Sequence, residues 1–298
     1  MSFESSGIDK ENLFKINKLL FFDIWKNETI NLEQIDLLND IVQNNFNQLY
    51  GRKRNKEIIN IGLNHPSTYE IDNQTLMFGP AGNFPEYPEI IISGISTSIT
   101  AANGIALNLK KKDIKSVNID EIRKIYLQNI YKGGMYKKFK KEWEQRSNGS
   151  IYENDFHDLF NIIEGKKAFS KKSKIMLTQA TLHGIATYYE DSWHKRTAWS
   201  APSTKVFKNE VSEYLFKEFF LESVLIERFI NNPKSKFLFL MGNDIYNKVR
   251  KSFEKEINTS LSLENVIFCE NINKDFKLED FDIKVNSKYI IKIKHSAA

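Results

Sequence analysis

A single cysteine, Cys269, occurs in 298 residues, so no intramolecular disulfide framework exists and a reducing, cytoplasmic setting is expected. Proline is scarce, with six in the chain; four of them fall within residues 62–88, which leaves the rest of the sequence free to form regular structure. No apolar run approaches the ~20 residues that span a bilayer, so no membrane partner is expected. The opening MSFESSGIDKENLF lacks a basic segment followed by an apolar core and is not expected to be a signal peptide. The absence of a G-x-x-x-x-G-K-[ST] loop argues against P-loop nucleotide hydrolysis. His183 and His194 stand at no recognisable zinc spacing, so neither a metal nor a cofactor is expected. There is, by contrast, ample apolar and aromatic material (41% and 13% of residues), enough for a packed core and too much for a disordered chain.

The formal net charge is only +5, but lysines cluster in LKKKDIK (109–115), YKKFKKEW (136–143) and GKKAFSKKSK (165–174). In the second cluster basic residues alternate with aromatics, a mixture suited to tracking phosphates and stacking bases. A lysine-rich helix face is also an ordinary solvated surface, and the clusters alone do not decide between the two.

Apolar Ile35, Leu38, Ile41, Val42 and Leu49 recur at helical spacing in NLEQIDLLNDIVQNNFNQLYG, with Asn31 placed to cap the start and Gly51 to end it. KENLFKINKLLFFDIW predicts an earlier helix, and residues 62–88 read as an ordered loop. Beyond them short β-branched runs alternate with helical stretches. Residues 89–94, 173–179, 236–242 and 288–294 are predicted strands, and 265–270 is a fifth strand or a side element. Helices are predicted within 119–146, within 207–231 ahead of Pro233, and over 244–257. This alternation predicts an α/β fold: a three-layer α/β/α arrangement with a central, mostly parallel four-stranded sheet, plus N-terminal helices. Residues 1–87 would form a helical extension and ordered loop packed on a core of residues 88–298.

In such a sheet ligands meet the carboxyl ends of the strands. Those ends read IIISGISTSITAANGIA, IMLTQ, LMGNDIYNK and KHSAA. In this order they resemble the uracil-DNA glycosylase superfamily. That family has a strand ending in Gly, then a polar loop such as G-Q-D-P-Y or G-I-N-P-G and a segment like H-G-L-A. A second strand ends in a base-reading Asn, a third has the form L-W-G-S-H-A-Q-K, and a fourth ends in H-P-S. The likeness is confined to four short segments within residues 88–298. NHPS at 64–67 carries the family's letters but precedes the first strand, and reads as a loop.

The resemblance implies that His295 stabilises charge on a flipped base, although a terminal residue can also simply fray. It implies base contacts from Gly94, Ile95, Ser98, Asn103 and either Thr178 or Gln179. Ser96, Thr97, Thr100 and Ser296 would meet phosphates or the reacting end of the site, with Asn243 beside them. Three departures from the family bear on chemistry. The first-loop carboxylate or amide is replaced by Ser96, so a water-activating carboxylate must come from elsewhere. Asp191 is the preferred candidate, because Asp244 suits a helix N-cap. The aromatic that closes the uracil pocket is replaced by small Ser98, which favours a bulky 5-modified pyrimidine such as glucosylated hydroxymethylcytosine of phage DNA. The chain stops at Ala298, so the DNA wedge expected after H-P-S would come instead from residues 184–205. These carry Trp193 and Trp199 with Lys195 and Arg196, among residues that could equally form a local core.

Together these readings predict a monofunctional, monomeric DNA glycosylase with DNA as its partner. The alternatives are a non-catalytic nucleic-acid-binding protein on the same scaffold, a uracil-directed repair enzyme, or an unrelated α/β enzyme acting on a nucleotide.

Overall fold

A computed structural model of the chain describes residues 11, 14–15, 18–40, 53–54, 57–58, 83–96, 108–109, 111–132, 174–181, 210–257, 265–270 and 287–293. Its centre is one sheet of five strands: β1 (Ile90–Ser96), β2 (Ile175–Thr181), β3 (Phe237–Met241), β4 (Val266–Cys269) and β5 (Lys288–Ile293). The hydrogen-bonded order is β2-β1-β3-β5-β4, and every neighbouring pair is parallel. A separate antiparallel ladder joins Lys53–Arg54 to Glu57–Ile58. The α/β class follows from the alternation of runs, but the expected count of four strands is corrected to five. The addition is β4, an edge strand whose four residues are all half-buried. It lacks the fully buried character that marks β3 as central.

Register partners share a face of the sheet. Ile92, Gly94, Leu177, Gln179, Phe239 and Ile291 line one face; Ile91, Ser93, Thr178, Leu238, Ile290 and Lys292 line the other. On the first face Phe237 stacks with Phe239 and with Tyr289 at 6.0 and 5.8 Å. The second face carries the helix over Asn243–Ser252, whose Tyr246 meets Phe268 and Lys292, and helices alternate with the strands along the chain. The helix α1 (Ile119–Lys132) precedes β2 in sequence. Between β2 and β3 runs α2 (Glu210–Leu215), continued by Phe216–Ile230, where hydrogen bonds close over five residues instead of four. After β3 comes α3 (Asn243–Ser252). Lys248 of α3 pairs with Glu213 of α2 at 2.5 Å and lies over the Phe216 ring. Tyr246 of α3 meets Phe268 edge-on. Leu238, Phe239, Val224 and Phe229 are all fully buried, and each such side chain contributes ~1.5–3 kcal/mol of apolar burial. Among the described residues no helix is long and apolar enough to cross a membrane.

The N-terminal segments are fastened to this core by polar contacts to backbone. A helix over 32–40 begins with a reciprocal cap, Gln34 N donating to Asn31 Oδ1 and Asn31 N to Gln34 Oε1, so Asn31 caps as expected. The turns Leu19–Asp23 and Ile24–Lys26 end where buried Arg123 donates to the carbonyls of Ile24 and Asn27. Carbonyls at a helix end run out of partners within the helix, and a cation suits them.

Lys288 does the same for the helix at Phe216–Ile230. Its ammonium donates to the carbonyls of Phe229, Asn232 and Ser235 at 2.7, 2.6 and 2.8 Å. Burial pushes its pKa from 10.5 down to about 8. The folded chain therefore holds this proton less tightly than the unfolded chain. The cost of keeping the ammonium is complete below about pH 8 and is relieved as pH climbs towards 10.5. The stability of the wild type minus that of Lys288→Met should therefore rise across that window in urea melts. A difference that stays flat from pH 7.5 to 10 contradicts the assignment.

Candidate functional site

The chain leaves β1 for β2 on one side and then crosses to β3 on the other. The connections diverge at the carboxyl ends of β1 and β3, which is the topological switch point where open parallel sheets bind ligands. Of the residues singled out from sequence, Gly94, Ile95, Ser96, Thr178, Gln179 and Asn243 stand at this end of the sheet.

Gly94 and Gln179 are register partners on adjacent strands. The Gln179 side chain, 7% exposed, lies across Gly94, and a Cβ built on Gly94 would fall on Gln179 Oε1. Glycine at this strand end thus has a steric cause beyond backbone freedom: the space of its missing side chain is filled from β2. Thr178 and Gln179 were equal alternatives from sequence. The structure separates them, because Thr178 lies beside Ser93 on the opposite face and is fully buried, whereas Gln179 shares the face of Gly94. Ile95 is half-buried and packs on the core. Gly94→Ala should cost ~1–3 kcal/mol by overpacking, and Gln179→Ala should recover much of it. A double-mutant cycle in urea checks this; additive losses would mean that the two sites do not share the space.

On the other side of the switch point, Gly242 ends β3 with φ 104° and donates its N–H to the Ile293 carbonyl at 2.9 Å. An L side chain is strained in this conformation. The turn sets the first turn of α3 at the strand ends, with Asn243 exposed there. Asp244 does not cap the helix as expected. Gly242 occupies the cap position without a side-chain bond, and Asp244 lies within the first turn, where the helix dipole favours a carboxylate. Sequence reasoning missed Gly242 as the pivot, although a glycine directly after an apolar strand was its signal. Tyr246, one turn into α3, was also missed. It is fully buried, its hydroxyl makes no hydrogen bond among the described residues, and burial pushes its pKa up to about 12, so it stays protonated. The Lys292 ammonium lies 5.6 Å from its ring.

His295, Ser296, Asp191, Ser98, Asn103, Thr97, Thr100, Trp193, Lys195, Arg196 and Trp199 lie outside the described residues, as does the whole of 184–205. Ser96 is placed as the last residue of β1. Chemically, the described part of the site offers a carboxamide at Gln179, helix-terminal amides at α3 and one carboxylate at Asp244. Such a set binds polar, uncharged edges and anionic oxygens better than it performs general-base chemistry. Among the described residues no group of three or more His, Cys, Asp or Glu could hold a metal ion.

No protein-family model, curated protein or solved structure matches this chain.

Proposed function

We propose that the protein is a monofunctional DNA glycosylase, acting as a cytoplasmic monomer on a flipped, 5-modified pyrimidine such as glucosylated hydroxymethylcytosine of phage DNA. The observation that carries this reading is the packing of the Gln179 carboxamide on Gly94 at the ends of two adjacent parallel strands, beside the switch point. A carboxamide supplies both a donor and an acceptor, which is what the edge of an extruded pyrimidine requires.

In this reading the glycosidic C1′–N bond breaks as water oxygen bonds to C1′. The base leaves with the bonding electron pair, and His295 donates to the charge that develops on it. Asp191 accepts the proton lost by the water. Ser98 leaves room for the 5-substituent, and Asn103 contacts the base. Ser96, Thr97, Thr100, Asn243 and Ser296 hold the backbone phosphates, while Trp193, Lys195, Arg196 and Trp199 support the opened duplex.

A second reading, a nucleic-acid-binding protein without catalysis, is favoured by one feature: serine occupies position 96 where the family carries a carboxylate or amide. The two readings separate when the protein is incubated with DNAs carrying cytosine, hydroxymethylcytosine, its glucosylated form or uracil. Released bases are then identified by mass, and abasic sites by alkali cleavage. Release of a 5-modified cytosine supports the proposal; release of uracil alone redirects it to repair. Binding without any released base or break rejects catalysis.

A further inference from the structure

Among the described residues β2 ends the sheet on one side, and Asn83 meets its outward backbone groups at Ile175 and Leu177. Asn83 N donates to the Leu177 carbonyl at 3.0 Å, Asn83 Nδ2 donates to the Ile175 carbonyl at 2.7 Å, and Asn83 Oδ1 accepts from Leu177 N at 2.6 Å. One backbone amide and one side-chain amide thus supply what two residues of a neighbouring strand would supply. Asn83 is 2% exposed. The chain after it is clamped by Arg228, which donates to the Pro85 carbonyl and lies 5.9 Å from the Phe84 ring. The same guanidinium lies 5.7 Å from the ring of Phe22, in the N-terminal turns. The strap at 83–88, held also by Asn232 Nδ2 donating to the Pro88 carbonyl, and those turns, held also by Arg123, therefore share a contact at Arg228.

Edge strands are ordinarily kept from pairing with other chains by charges, prolines, bulges or a cover. β2 reads IMLTQAT, with no charge and no proline, so its protection comes from the cover. We propose that residues 83–88 and the N-terminal turns form one detachable guard over the β2 edge, and that opening it lets this edge pair with β2 of a second copy. An identical strand offers the same spacing of donors and acceptors and pairs antiparallel about a two-fold axis, satisfying together the groups that Asn83 now holds. This proposal is independent of any glycosylase activity.

Native-state hydrogen exchange on the intact chain in rising urea, paired with sedimentation over a concentration series, tests it. The amides of Leu177, of 19–27 and of the strap should exchange through one shared opening, well below that of Leu240 in β3 and Ile291 in β5. Asn83→Ala should speed that opening about a hundredfold, leave Leu240 and Ile291 unchanged, and move the chain towards dimer. The proposal is overturned if 19–27 stays protected while Leu177 opens, or if all strands open together. It is also overturned if the chain sediments as a monomer under conditions where exchange finds the guard open. The wild-type measurement decides the shared opening even if the variant fails to fold.

Discussion

On the proposed glycosylase reading, His295→Ala is expected to lower the single-turnover rate of base release about 10²–10³-fold, the usual loss when one donor to a developing anion is removed. DNA affinity should change far less, because the phosphate contacts assigned to the first loop and to Ser296 stay in place. His295→Asn keeps a neutral donor of shorter reach and should fall between wild type and alanine. The split between rate and binding is the informative part: a histidine that merely supported the fold would lower both, along with the melting temperature. Alkali cleavage of a glucosylated substrate, with enzyme in excess, reads the rate. A His295→Ala chain that releases base at the wild-type rate would remove the imidazole from the mechanism and, with it, the strongest element of the resemblance.

The largest expected effect on stability comes from Arg228→Met. Arg228 is 4% exposed and donates to the carbonyls of Pro85 and Ser223 at 3.2 and 2.7 Å. Burial works against its charge, and neighbouring Glu227 partly restores it. Methionine keeps an apolar stem between Phe22 and Phe84 but removes the guanidinium's bonds, leaving the Pro85 carbonyl without its donor while Ser223 stays within the helix ladder. The stranded Pro85 carbonyl costs ~1–3 kcal/mol and the lost cation–ring contacts with Phe22 and Phe84 ~0.5–1 kcal/mol each, so a loss of ~3 kcal/mol is expected in urea unfolding. A loss below ~1 kcal/mol would mean that water reaches that carbonyl, and that the strap and the N-terminal turns are held by their apolar contacts instead.

The parts of the fold that were legible in the sequence are those decided by local pattern. β1, β2, β3 and β5 are short, strongly apolar runs, and each lies within about two residues of its expected position. The helix at Phe216–Ile230 stops ahead of Pro233 because proline cannot continue it. β4 was only half legible, since an edge strand with every residue half-buried has neither the solid apolar character of a central strand nor clean alternation. Contacts that join distant segments left no local mark. Nothing around Asn83 announces a partner 94 residues away, and Arg123 and Arg228 look like ordinary surface charges on amphipathic helices. At the candidate site, the strand ends could be located from sequence, but Thr178 and Gln179 are consecutive, and only the register with β1 tells which of them joins Gly94.

The interior position of β5 has a consequence for assembly. Val266–Cys269 is made before Lys288–Ile293, yet its hydrogen-bonding partner in the sheet is that later segment. During synthesis, at ~5–20 residues per second, β4 therefore waits without its ladder until β5 arrives and slides between it and β3. Those few seconds are the interval in which a nascent chain is most open to capture by a chaperone or by its neighbours on the same message.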